Sequence, residues 1–194
     1  MKTKSIFALI AFLAVTVSLT SCGGQKQVMN AGKQEIIMPF QAPANRTDID
    51  YFRATASGTS PDLEMARTIS EMNARTQLAA QVSTVIKSVA EKYAKQAAIQ
   101  NQREFMEKVE QNTRQVINQT LQGATIKDTK LYQNADGTYE FWTNIEMSRV
   151  PVEEEAVEGI SNDELLNLDF NQHLFREVFK EEMALEMQKA AQGR

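Results

Sequence analysis

A single cysteine among 194 residues cannot close an intramolecular disulfide or build a Cys-rich zinc site. A single histidine excludes His–His metal pairs and leaves one imidazole for any proton shuttle. Basic residues are outnumbered, 21 Lys and Arg against 25 Asp and Glu, and the net charge of −4 argues against a general nucleic-acid binder. The chain has no G-x-G-x-x-G and no P-loop, so nucleotide binding has no motif to rest on. Ser57, Thr59 and Ser60 lack the G-x-S-x-G setting that makes a serine nucleophile. No cofactor, metal, nucleic-acid partner or enzymatic reaction is expected from what remains.

What is present begins at the N-terminus. Lys2 and Lys4 precede the apolar run Ile6–Val17, which is too short for a transmembrane helix and has the flanks of a signal peptide. The run ends in Leu19-Thr20-Ser21-Cys22, which resembles the bacterial lipobox. That resemblance implies cleavage between Ser21 and Cys22, with acylation of Cys22. The alternative is an ordinary signal peptide that leaves a free thiol in an exported protein. Each buried acyl CH₂ contributes about 0.8 kcal/mol, so several chains anchor stably where one is marginal. Loss of residues 1–21 leaves 173 residues with a side-chain charge of −6, so lipid rather than charge would hold the protein to the bilayer. Gly23 stands where an Asp would signal inner-membrane retention, and no acidic run follows the cysteine. The expected location is therefore the bacterial outer membrane, facing the periplasm.

Residues 22–48 read as the acylated cysteine and a tether, with Pro39 and Pro43 blocking regular structure. Ile36, Ile37, Met38 and Phe40 are candidates for docking on the domain. Residues 49–149 read as an α+β domain. Phe52, Ala54 and Ala56 alternate along a strand from Asp50 to Ser57, which Gly58 is expected to end. Ser60, Pro61, Asp62 and Glu64 mark a helix start, with Ser60 as the cap. Met65, Ile69, Met72, Thr76, Ala79, Val82, Ile86, Val89 and Tyr93 form one helical stripe, with Ala66, Ala74 and Ala80 as positions of close approach. A break near Gln100-Asn101 precedes a second helix, Glu104–Leu121, whose face carries Phe105, Val109, Val116 and Thr120; Gly123 stops it. Residues 124–148 predict a hairpin that turns at Asn134-Ala135-Asp136-Gly137. The expected architecture is a three-stranded antiparallel sheet packed against two long helices, plus a C-terminal helix.

Residues 150–194 read as an acidic connector, Val152–Asn162, then an amphipathic helix capped by Asp169 or Asn171 and running to about Ala191. Glu153, Glu154 and Glu155 are read as solvated, and His173, with Glu177 four residues on, as a surface residue. Trp142 falls on the hairpin face opposite Tyr139 and Phe141. Either the tether or last helix covers that face, or Trp142 marks a partner surface. Phe175 and Phe179 pose the same choice: they pack on the domain or form a handle for a partner.

Arg53-Ala54-Thr55-Ala56-Ser57-Gly58, Ala66-Arg67 and Asn73-Ala74-Arg75 resemble a motif of small bacterial envelope lipoproteins. The family is typified by the twenty-kilodalton membrane-associated lipoprotein of Helicobacter. The same cadence occurs in the N-terminal domain of the flagellar-basal-body T protein. Asp136-Gly137-Thr138-Tyr139 and Phe141-Trp142 fit the family's hairpin strand. The likeness spans about residues 50–148. It implies a compact α+β domain and an envelope location, with no catalytic residues to carry over. The function expected is a structural or protein-interaction module with an envelope protein partner. The alternative is a small-ligand or lipid carrier with a cleft between helix pair and sheet.

Overall fold

The computed structural model describes residues 36–163 and 170–192. The chain divides into two units, Met1–Ile36 and Ile37–Arg194, and every element below belongs to the second. Ser21, Cys22 and Asp169 lie outside the described residues.

The fold is α+β. Strand β1 spans Tyr51–Ser60, helix α1 Leu63–Gln96 and helix α2 Gln102–Thr120. Strand β2 spans Thr125–Gln133 and β3 Tyr139–Ser148, followed by helix α3, Arg149–Ser161, and helix α4, Gln172–Ala191. The sheet is antiparallel in the order β1-β3-β2. Helix α1 lies on its inner face, α2 and α4 pack against α1, and α3 packs against α2.

Gly58 does not end β1; it lies within the strand, opposite Phe141. A Cβ there would sit 2.4 Å from the Ala66 carbonyl oxygen and 2.5 Å from the Ser70 nitrogen. The glycine is the point at which helix backbone presses on strand backbone. This close approach corrects the expected stripe over the first half of α1. Small residues, Ala66, Ser70 and Ala74, face the sheet, while Met65 and Met72 are exposed. Beyond Leu78, Val82, Ile86, Val89 and Tyr93 are buried as their spacing predicts. The helix cap is Asp62, whose side chain accepts from the Met65 N–H; Ser60 accepts from Asp62 instead.

Asn101 caps α2, which buries Phe105, Val109, Val116 and Thr120. The hairpin turns through Gly137 at φ 85°, with Asn134 N–H donating to the Thr138 carbonyl at 2.8 Å. A bulge between Ile126 and Asp128 offsets the start of β2.

The stretch read as an acidic connector is helix α3. Pro151 sits in its first turn, where a missing N–H breaks no ladder bond. Val152, Ala156, Val157 and Ile160 form a buried stripe, while Glu154 and Glu158 face solvent. Glu153 turns inward, between Arg149 and Arg176, the latter at 3.0 Å. Asn171 caps α4, and Phe175, Val178, Phe179 and Met183 are buried.

Candidate functional site

The outer face of the sheet, away from α1, carries the one tryptophan. Trp142 lies between Ser57 of β1 and Lys130 of β2 and is half-buried. Residues 40–48 run across this face and around the β1 edge. Phe40 is buried there, and the Lys130 ammonium stands 5.3 Å from its ring centre. Asn144, fully buried, donates to the Asn45 carbonyl at 3.1 Å and to the Thr55 hydroxyl at 2.7 Å. Thr47 accepts from the Arg53 N–H at 2.9 Å and donates to the Arg53 carbonyl at 3.1 Å, which closes the outer edge of β1 at Arg53. Arg46 reaches the last turn of α4, donating to the Ala190 carbonyl at 2.6 Å.

Arg53 knots this strap to the sheet. Its guanidinium pairs with Asp48 and, at 2.8 Å, with Glu146; Lys127 joins Glu146 at 3.1 Å. Burial disfavours both charged carboxylates, but the partners outweigh it. Arg53 and the N–H groups of Asp50 and Tyr51 hold the Asp48 carboxyl below its ordinary value. Arg53 and Lys127 do the same for Glu146. The strap therefore covers part of the face beside Trp142, and the rest of that face is open.

Phe175 and Phe179, candidates for a partner surface, are fully buried. Phe175 sits in an aromatic cluster with Tyr93 at 5.6 Å and Phe170 at 5.5 Å between ring centres. The Tyr93 hydroxyl accepts from the Asn171 N–H at 2.8 Å, pinning the start of α4 to α1. These aromatics are core; the handle reading is corrected. His173 is exposed, with Glu177 at 3.2 Å. Glu153, Glu154 and Glu155 do not converge: Glu153 is an inter-helix tie, and Glu154 is exposed.

Phe52, Leu78, Ile145 and Met147 are core residues between α1 and the sheet among the described residues. A groove of about 560 Å³ lies between α1 and α2, with Met106, Val109 and Ile117 as its apolar lining and Lys87, Glu91 and Arg114 among its charged side chains. Neither the groove nor the Arg53 network is visible in the sequence. A scan against family models and searches of curated proteins and of solved structures each find no match to this chain.

Proposed function

We propose that the chain is a lipid-anchored protein of the bacterial envelope, held to the outer membrane by acyl chains on Cys22 and facing the periplasm. Its role is non-enzymatic: a structural or protein-interaction module whose binding surface includes the open part of the Trp142 face. The observation that carries this reading is Leu19-Thr20-Ser21-Cys22, placed after a basic start and an apolar run and containing the chain's single cysteine. The resemblance of residues 53–58 and 66–75 to a motif of small envelope lipoproteins agrees with it. Metabolic labelling with palmitate tests the anchor. Wild-type chain should take up label and sediment with outer membranes, and Cys22→Ala should do neither. An unlabelled wild type overturns the anchor.

A carrier is the second reading, favoured by the α1–α2 groove. Its apolar floor of Met106, Val109 and Ile117 under charged walls suits a small amphipathic molecule. Native mass spectrometry of the purified full chain separates the two. A retained small molecule lost on Ile117→Arg supports the carrier. A bare chain that crosslinks to an envelope protein through Ser57→Cys, beside Trp142, supports the module.

A further inference from the structure

The two edges of the sheet are treated differently. The chain closes the first half of the β1 edge itself: Asp48 N–H donates to the Tyr51 carbonyl at 3.0 Å, and Thr47 takes both backbone groups of Arg53. The far edge of β2 has no neighbouring strand among the described residues, residues 37–42 lying near Asp128, Lys130 and Tyr132, and all nine of its residues are exposed. Leu131 is 48% exposed and Tyr132 43%. An open edge with apolar side chains is a template for another strand unless something guards it. The side chains suited to guard it are held elsewhere. Lys127 is paired with Glu146 at 3.1 Å, and Lys130 is drawn over Phe40.

We propose that β2 pairs antiparallel with β2 of a second copy of this chain, with the two-fold axis at Leu131. The hairpin geometry selects that register. Asn134 and Thr138 form the hydrogen-bonded pair at the turn, so in the regular alternation Gln133, Leu131 and Thr129 direct their backbone groups away from β3. The Thr129 N–H is already taken by Asp128 Oδ1 at 2.8 Å. An axis at Thr129 would therefore set two occupied donors at its centre. An axis at Lys130 would set lysine against lysine. With the axis at Leu131, the two Leu131 residues exchange both backbone bonds, and each Gln133 N–H meets the other copy's Thr129 carbonyl. Leu131 lies against Leu131 on the inner side, and Lys130 lies opposite Tyr132, with no like charges facing. Because the first half of each β1 edge is already closed at Tyr51 and Arg53, each end of the resulting six-stranded sheet offers only a short edge. The assembly stops at a dimer instead of growing into a fibre.

Cysteine crosslinking in the full chain reads the register, with the parent as the control for Cys22. In a hydrogen-bonded antiparallel pair, opposed Cα atoms lie about 5.5 Å apart, within disulfide range. Leu131→Cys should oxidise to a dimer. Lys130→Cys or Tyr132→Cys alone should crosslink at least about tenfold less, being two residues out of register and beyond about 7 Å. The last two, co-expressed, should crosslink with each other. Leu131→Pro removes an N–H that β3 does not use, so it should abolish the dimer in sedimentation while leaving circular dichroism and Trp142 emission unchanged. Equal crosslinking at the three positions, none at any, or a crosslink from Leu131→Cys only to a different protein would overturn the proposal. The crosslinking ladder stands by itself if the proline variant does not fold.

Discussion

At the scale of single residues, the sequence's least conspicuous members do the most. Gly58 reads as a strand terminator because glycine punctuates strands; in the structure it is where the Ala66 carbonyl meets the strand. Gly58→Ala should destabilise by about 2 kcal/mol or more, because neither backbone can yield. Urea unfolding monitored at Trp142 measures it, and an unchanged midpoint would refute the close approach. Polar residues of β1 and the first half of α1 have similar architectural tasks. The Ser70 hydroxyl lies 3.1 Å from the Ala56 carbonyl and 2.7 Å from the Thr143 hydroxyl, and Asn73 donates to the Ser57 carbonyl at 2.9 Å. Arg75 donates to the Leu121 carbonyl at 3.0 Å. Titration adds a second test. Asp48 and Glu146 have folded-state values held below their ordinary 3.8 and 4.5. Their stabilisation is complete above those values and is lost as pH falls through the lower folded ones. Asp48→Asn should therefore leave stability near pH 3 closer to that of wild type than at pH 7. Thermal melts at both pH values check the sign.

At the scale of elements, hydrophobic periodicity located most of the secondary structure but not all of its partners. The second half of α1, the face of α2 and helix α4 were legible, because each buries a stripe of large apolar residues at regular spacing, and the hairpin was legible from its Asn134–Gly137 turn and the alternation of β3. The first half of α1 was not. There the packing is set by small side chains against Gly58, and small residues carry little hydrophobic signal. Helix α3 was hidden by its acids and by Pro151, although Val152, Ala156, Val157 and Ile160 keep helical spacing. Its inward Glu153 is tied to Arg149 and Arg176, joining α3 to α4. Glu153→Ala removes the carboxylate that both guanidinium groups share, and with Arg149 still bonded to the Ile49 carbonyl and Arg176 partly in solvent it should cost roughly 1–2 kcal/mol. Phe175→Ala, in the aromatic cluster, should cost about 3–5 kcal/mol. Chemical denaturation reports both, and a Phe175→Ala loss below about 1 kcal/mol would mean that α4 is not docked as described.

At the scale of the whole molecule, the candidate site divides in the same way. The proposed anchor rests on a linear signal, Leu19-Thr20-Ser21-Cys22, because a lipobox is made of consecutive residues. The surface beside Trp142 is not, because it is assembled from the strap, β1 and β3, separated by up to 99 residues in the chain. Asn144 and Arg53, which fasten the strap, look like ordinary strand polars until their partners are known. The central claim is that a folded α+β domain is carried on a lipidated cysteine. The most direct test is mass spectrometry of the N-terminal peptide of chain recovered from outer membranes. The account predicts a peptide that begins at Cys22 and carries a thioether-linked diacylglyceryl group with an acylated amine. A peptide beginning elsewhere, or Cys22 recovered as a free thiol, would contradict it.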